Sequence, residues 1–108
     1  MTNNNVPKPV GPYSLFRYLS DGSSWITCGQ IPINPQTEQL NNDTIEDEVN
    51  QVFENIEAVL IDNDKTINDV KKFTVFLTDL TITPLINAQI EKRLSEPYPA
   101  RTTIQVAG

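Results

Sequence analysis

Histidine is absent from this sequence of 108 residues, and cysteine occurs once, as Cys28. Without imidazole the usual general base near neutral pH and the commonest metal ligand are both missing, so proton transfer would fall to carboxylates, tyrosine, main-chain groups or bound water. No cofactor is expected, and a metal site could be built only from oxygen. A lone cysteine excludes an internal disulfide, and no Cys-x-x-Cys pair points to zinc or to thioredoxin-like chemistry. A reducing compartment fits that usage, and the expected location is cytoplasmic.

Cations are scarce too: 8 Lys and Arg stand against 14 Asp and Glu, a net charge of −6. A mean field of that sign repels phosphate backbones, so nucleic acid is disfavoured as a partner. No apolar run approaches the roughly 20 residues of a membrane span, and the start "MTNNNVPKPVGPY" lacks the charged and apolar regions of a signal peptide, so no membrane partner is expected. With 38% hydrophobic and 20% charged residues the composition is that of a globular protein,. The length suits a single domain over residues 1–108, with residues 1–6 as a flexible polar arm.

Pro7, Pro9 and Pro12 keep the chain extended after that arm,. The aromatic run Tyr13 to Leu19 and the segment Trp25 to Ile31 read as two strands of a hairpin, joined by Ser20-Asp21-Gly22-Ser23,. Pro32 to Asn42 reads as a polar loop. Ile45, Val49, Val52, Phe53, Ile56, Val59 and Leu60 then fall at helical spacing, with Asp43 or Thr44 as cap and Glu46, Asp47 and Glu48 at the positive end of the helix dipole,. Asn63 is the expected left-handed residue that ends this helix.

Val70 to Leu77 reads as a third strand, Thr83-Pro84 as a helix start, and Ile86, Ile90 and Leu94 as that helix's buried stripe,. Pro97 and Pro99 stop it. In the last segment Thr102, Ile104 and Val106 alternate with Arg101, Thr103 and Gln105, giving a strand with one apolar and one polar face,. The order strand, strand, helix, strand, helix, strand predicts an α+β fold, a sheet with two helices packed on one face. The other face of such a sheet then needs a partner.

The segments "PVGPYS", "CGQIPINPQT", "VNQVFENIEAVL", "DVKKFTVFLTDL" and "YPARTTIQVA" resemble, in order and spacing, the RidA family of reactive-intermediate deaminases, also called the YjgF, YER057c and UK114 family. The resemblance covers about Pro7 to Ala107. It implies a chorismate-mutase-like fold of the bacillus type, a homotrimer with clefts between subunits, and cofactor-free hydrolysis of enamines and imines such as 2-aminoacrylate to 2-keto acids and ammonia. It also implies that Arg101, in the YPAR segment, pairs with the carboxylate of a small substrate. A planar guanidinium suits that role because it can grip a carboxylate through two parallel hydrogen bonds. The competing reading of Arg101 is a structural ion pair with one of the many carboxylates.

Four more positions fall in family motifs as candidate substrate-binding residues. Tyr13 would supply a hydroxyl or an aromatic wall, with core filling as its alternative. Gly29 would let a ligand approach the backbone, with a β-bulge as its alternative. Asn87 would line the cleft from the second helix, and Thr103 would share the face of Arg101. Cys28 reads as a small buried residue, and no catalytic acid or base is assigned.

Relatives carry aromatic residues where Ile90 and Leu94 stand. They also continue past the equivalent of Gly108 into a last strand whose glutamate positions the attacking water, so the expectation here is a fold lacking that strand. Two functions follow as expectations: the deaminase, or a noncatalytic trimer that captures small carboxylates or 2-keto acids. Endoribonuclease activity, a label some relatives carry, fits poorly with the net charge and with the lack of a basic stripe.

Overall fold

Thr44 opens the longest element: its Oγ1 accepts from the Asp47 N–H at 3.0 Å, and helix α1 runs over Ile45–Asp62. Glu46, Asp47 and Glu48 occupy its first turn, where the backbone dipole favours negative charge,. The helix buries Val49, Phe53, Ala58, Val59 and Leu60; full burial of one large apolar side chain contributes about 1.5–3 kcal/mol. Its end differs from the expectation at Asn63. That residue has φ −113°, and the left-handed position belongs to Asp64, at φ 61°. Lys65 N–H then donates to Leu60 O at 2.8 Å and Asp64 N–H to Ile61 O at 3.1 Å, a Schellman closure,. Asn63 contributes differently, donating from Nδ2 to Val59 O at 2.8 Å.

The computed structural model describes residues 6–108; the arm expected over residues 1–6 lies, apart from Val6, outside them. The chain divides into two compact units, one ending at Lys65 and one running from Thr66 to Gly108. In the first, β1 (Phe16–Tyr18) and β2 (Trp25–Thr27) pair antiparallel with Phe16 opposite Thr27. Both strands are shorter than the aromatic runs that predict them. Asp21 shapes the turn, its Oδ1 accepting from the backbone of Ser23 and Ser24 at 2.9 and 2.8 Å while Gly22 takes φ +76°. Phe16 stacks on Trp25 with ring centroids 5.3 Å apart.

The stretch expected as a plain loop holds a second, minimal hairpin, β3 (Ile33–Asn34) with β4 (Gln39–Leu40). Asn34 Oδ1 accepts from Gln36 N–H at 2.9 Å, and Glu38 takes the left-handed φ of 60° that closes the turn. Two-residue strands carry too little alternation to show as periodicity, which is why the sequence reads as loop there.

The second unit is a strand–helix–strand crossover. Strand β5 (Lys72–Leu77) and strand β6 (Ala100–Gln105) run parallel in register, Phe73 beside Arg101 and Val75 beside Thr103. A parallel pair requires a long connection, supplied here by helix α2 (Thr83–Arg93) with Pro84 in its first turn,. Ile86, Ile90 and Leu94 are buried as the spacing predicts, together with Ile67 and Leu77. The fold is thus α+β, with two α-helices and three two-stranded sheets among the described residues, where the sequence reading expected one sheet.

Candidate functional site

Arg101 and Asn87 meet in the second unit. The Arg101 Nη1 donates to Asn87 Oδ1 at 2.6 Å, linking β6 to α2. Arg101 is exposed and Asn87 half-buried. Among the described residues the Arg101 guanidinium has no other hydrogen-bond partner and no ion pair with a carboxylate; an ion pair elsewhere joins Lys8 and Glu38 at 3.4 Å. Strand alternation puts Thr103, half-buried, on the same face as Arg101,.

Tyr13 and Gly29 meet in the first unit, where both line a cavity of about 90 Å³ with Val10, Leu15, Cys28 and Ile31. Tyr13 precedes β1, although the aromatic run predicts it inside the strand. A turn holds it, with its N–H on Gly11 O at 2.9 Å and its hydroxyl oxygen accepting from Val10 N–H at 3.3 Å. Gly29 is exposed, and a Cβ built on it would meet no atom of the chain within 4 Å. Neither internal crowding nor a left-handed φ explains a glycine there. Burial pushes the Cys28 thiol up from its ordinary value against the opposing effect of the Gln30 amide, which donates to Sγ at 3.3 Å. That thiol is a poor nucleophile at neutral pH.

Two residues that the sequence reading passed over are tied, one directly and one through the other, to the backbone of Ile31 and Ile33, which line this cavity. Gln51 and Asn55 are 8% and 1% exposed on α1, joined by a bond from Gln51 Nε2 to Asn55 Oδ1 at 2.9 Å. Their i, i+4 spacing marks one helix face and is the signal that could have found them. A second cleft, of about 240 Å³, lies between Asn68, Lys71, Glu96 and Tyr98. Among the described residues no group of three or more acidic, thiol or imidazole side chains could hold a metal ion, and no helix is long and apolar enough to cross a membrane.

A small α+β domain with a parallel β5–α2–β6 crossover, and an arginine on its last described strand clamped by a helix asparagine, has the architecture of the chorismate-mutase-like proteins. Comparison with known proteins narrows this class. The family profile described as Endoribonuclease L-PSP matches residues 3–108. A RutC family protein of Pyrococcus horikoshii is 38% identical over 103 residues, which are 95% of this chain and 80% of that protein. A 2-iminobutanoate/2-iminopropanoate deaminase of the mite Dermatophagoides farinae is 34% identical over 94% of this chain and 79% of its own length. The crystal structure of RidA from an Antarctic Psychrobacter superposes with a TM-score of 0.89 at 37% identity, covering 99% of this chain and 85% of that one. The chain belongs to the RidA family, also known as the YjgF or L-PSP family.

Proposed function

We propose that this protein hydrolyses reactive enamines and imines of small amino acids, such as 2-aminoacrylate, to 2-keto acids and ammonia, with Arg101 holding the substrate carboxylate. The observation that carries this reading is the Arg101 guanidinium itself: exposed, oriented by Asn87 through one nitrogen, and without a carboxylate of its own among the described residues. Such a group matches the geometry of a small carboxylate. The deaminase name of the mite relative supports the substrate class. In this reaction the enamine tautomerises to 2-iminopropanoate, water adds to the C=N carbon, and the C–N bond of the resulting carbinolamine breaks to give pyruvate and ammonia. The reading calls for no cofactor.

The same reading makes the protein a homotrimer. Phe76 and its register partner Ile104 are 63% and 42% exposed on one face of the β5–β6 pair. Paired apolar side chains on an open sheet face are suited to a second copy of the chain. Light scattering at micromolar concentration should give about three times the mass of 12.1 kDa,; a folded monomer there would remove the assembly from the proposal.

The activity is tested by ammonia release from freshly generated 2-aminoacrylate. A rate above the spontaneous one supports the deaminase. If there is no such rate while 2-ketobutyrate still binds by calorimetry, the protein is a noncatalytic binding module instead.

A further inference from the structure

We infer that Asn55 is a positioning residue for ligand binding: from inside α1 it fixes the backbone that walls the Gly29 cavity. This rests on the proposed reading of Gly29 as a ligand-facing position.

The Asn55 amide is 1% exposed and uses both of its donors on one loop. Its Nδ2 donates to Ile33 O at 2.8 Å and to Ile31 O at 3.2 Å. Carbonyls can only accept, so the NH₂ must face the loop and Oδ1 must face Gln51, which donates to it at 2.9 Å,. Gln51 is held in turn, because its Oε1 accepts from Asn41 Nδ2 at 3.2 Å. The Asn41 backbone N–H closes the circuit on Pro32 O at 2.7 Å. Three consecutive carbonyls, of residues 31, 32 and 33, are thereby tied to donors elsewhere in the first unit.

Upstream, Cys28 N–H is tied to Leu15 O at 3.0 Å. Gly29 and Gln30 therefore span the short gap between an anchor beside β1 and an anchor on α1. Cys28, Gly29, Gln30, Ile31 and Ile33 all line the same cavity. With both anchors in place the path of Gly29 is determined; with one lost, the wall of the cavity can shift. A leucine at position 55 would fill similar space but take the side-chain donor from Ile33 O and leave Ile31 O with the Ile33 N–H alone, at 2.8 Å, which identifies directed hydrogen bonding rather than volume as the property in use.

Positioning and simple stabilisation predict different measurements. For Asn55→Leu, a positioning role predicts that the dissociation constant of 2-ketobutyrate, and the KM for 2-aminoacrylate, rise by about tenfold or more while kcat changes little, because ångström-scale misplacement weakens binding. Gln51→Leu, which leaves the loop contacts in place but frees the amide that makes them, should move both constants in the same direction by less. A lower melting temperature with unchanged KM and dissociation constant would overturn the inference and leave the deaminase reading intact. Intact binding that responds to Asn55→Leu, without turnover in the parent, would end the deaminase reading and keep this one. If neither variant folds, the unsubstituted protein decides. Saturation with 2-ketobutyrate should shift the NMR signals of the Asn55 side-chain NH₂ and slow its exchange, and unchanged signals at saturation would overturn the inference. A parent that neither binds 2-ketobutyrate nor turns over 2-aminoacrylate would overturn both.

Discussion

Asn87 Oδ1 lies 2.6 Å from Arg101 Nη1, so a neutral amide on α2 restrains one nitrogen of a guanidinium on β6. The neutrality matters. A neutral acceptor fixes the orientation of the fork without neutralising it, whereas a carboxylate at position 87 would compete directly with an anionic ligand. Asn87→Ala should therefore weaken 2-ketobutyrate binding by about tenfold, the equivalent of one lost hydrogen bond of about 1.4 kcal/mol. Asn87→Asp should weaken it further, although it restores a partner for Arg101. Calorimetry on the two variants checks the order, and Asp binding as well as Asn would contradict it.

Gly29 offers a test that separates ligand contact from folding. Since a Cβ there meets nothing in the chain and φ is not left-handed, Gly29→Ala should leave stability unchanged or raise it by about 0.4–1 kcal/mol through the unfolded state. Ligand binding should nevertheless fall, because the methyl group occupies space outside the chain. Denaturant melts and 2-ketobutyrate titration on one preparation read both quantities. Unimpaired binding would remove Gly29 from the site.

Asp21 sets part of the acid response. The Ser24 hydroxyl, at 2.6 Å from Oδ2, and the backbone N–H groups of Ser23 and Ser24 hold its carboxyl below the ordinary aspartate value. The Thr81 hydroxyl and backbone N–H do the same for Asp79. A carboxylate depressed in the folded state contributes stability that is complete above its unfolded pKa of about 3.9 and is lost as pH falls through the lower folded value. Melting temperature should therefore drop with acidification below about pH 4, and Asp21→Asn with Asp79→Asn should flatten that drop. An unchanged slope in the double variant would contradict the assignment.

Helix α1 was legible because its signals are local: a capping threonine, three acids in the first turn and an apolar period all sit in adjacent residues,. The closure at its C-terminus was legible only in kind. Asn63 and Asp64 are both able to take the left-handed position, and the hydrogen bonds that choose Asp64 run back to Leu60 and Ile61. The Arg101–Asn87 bond spans 14 positions and joins two elements, so no periodicity marks it; only the family motifs brought both residues forward. Asn55 stayed hidden because a polar residue in a helix ordinarily faces water, and its burial depends on carbonyls 22 and 24 positions earlier,.

The central claim is that the Arg101 guanidinium holds the carboxylate of a reactive enamine or imine while it is hydrolysed. Its most direct test is kcat/KM for ammonia release from 2-aminoacrylate, measured side by side on the parent, Arg101→Lys and Arg101→Ala. The account predicts a loss of at least about a hundredfold in Arg101→Ala, in keeping with about 3 kcal/mol for a charge-assisted pair. Arg101→Lys should recover only part of it, because an ammonium cannot form the two-pronged contact. Equal kcat/KM in the parent and Arg101→Ala, with both proteins folded, would contradict the account.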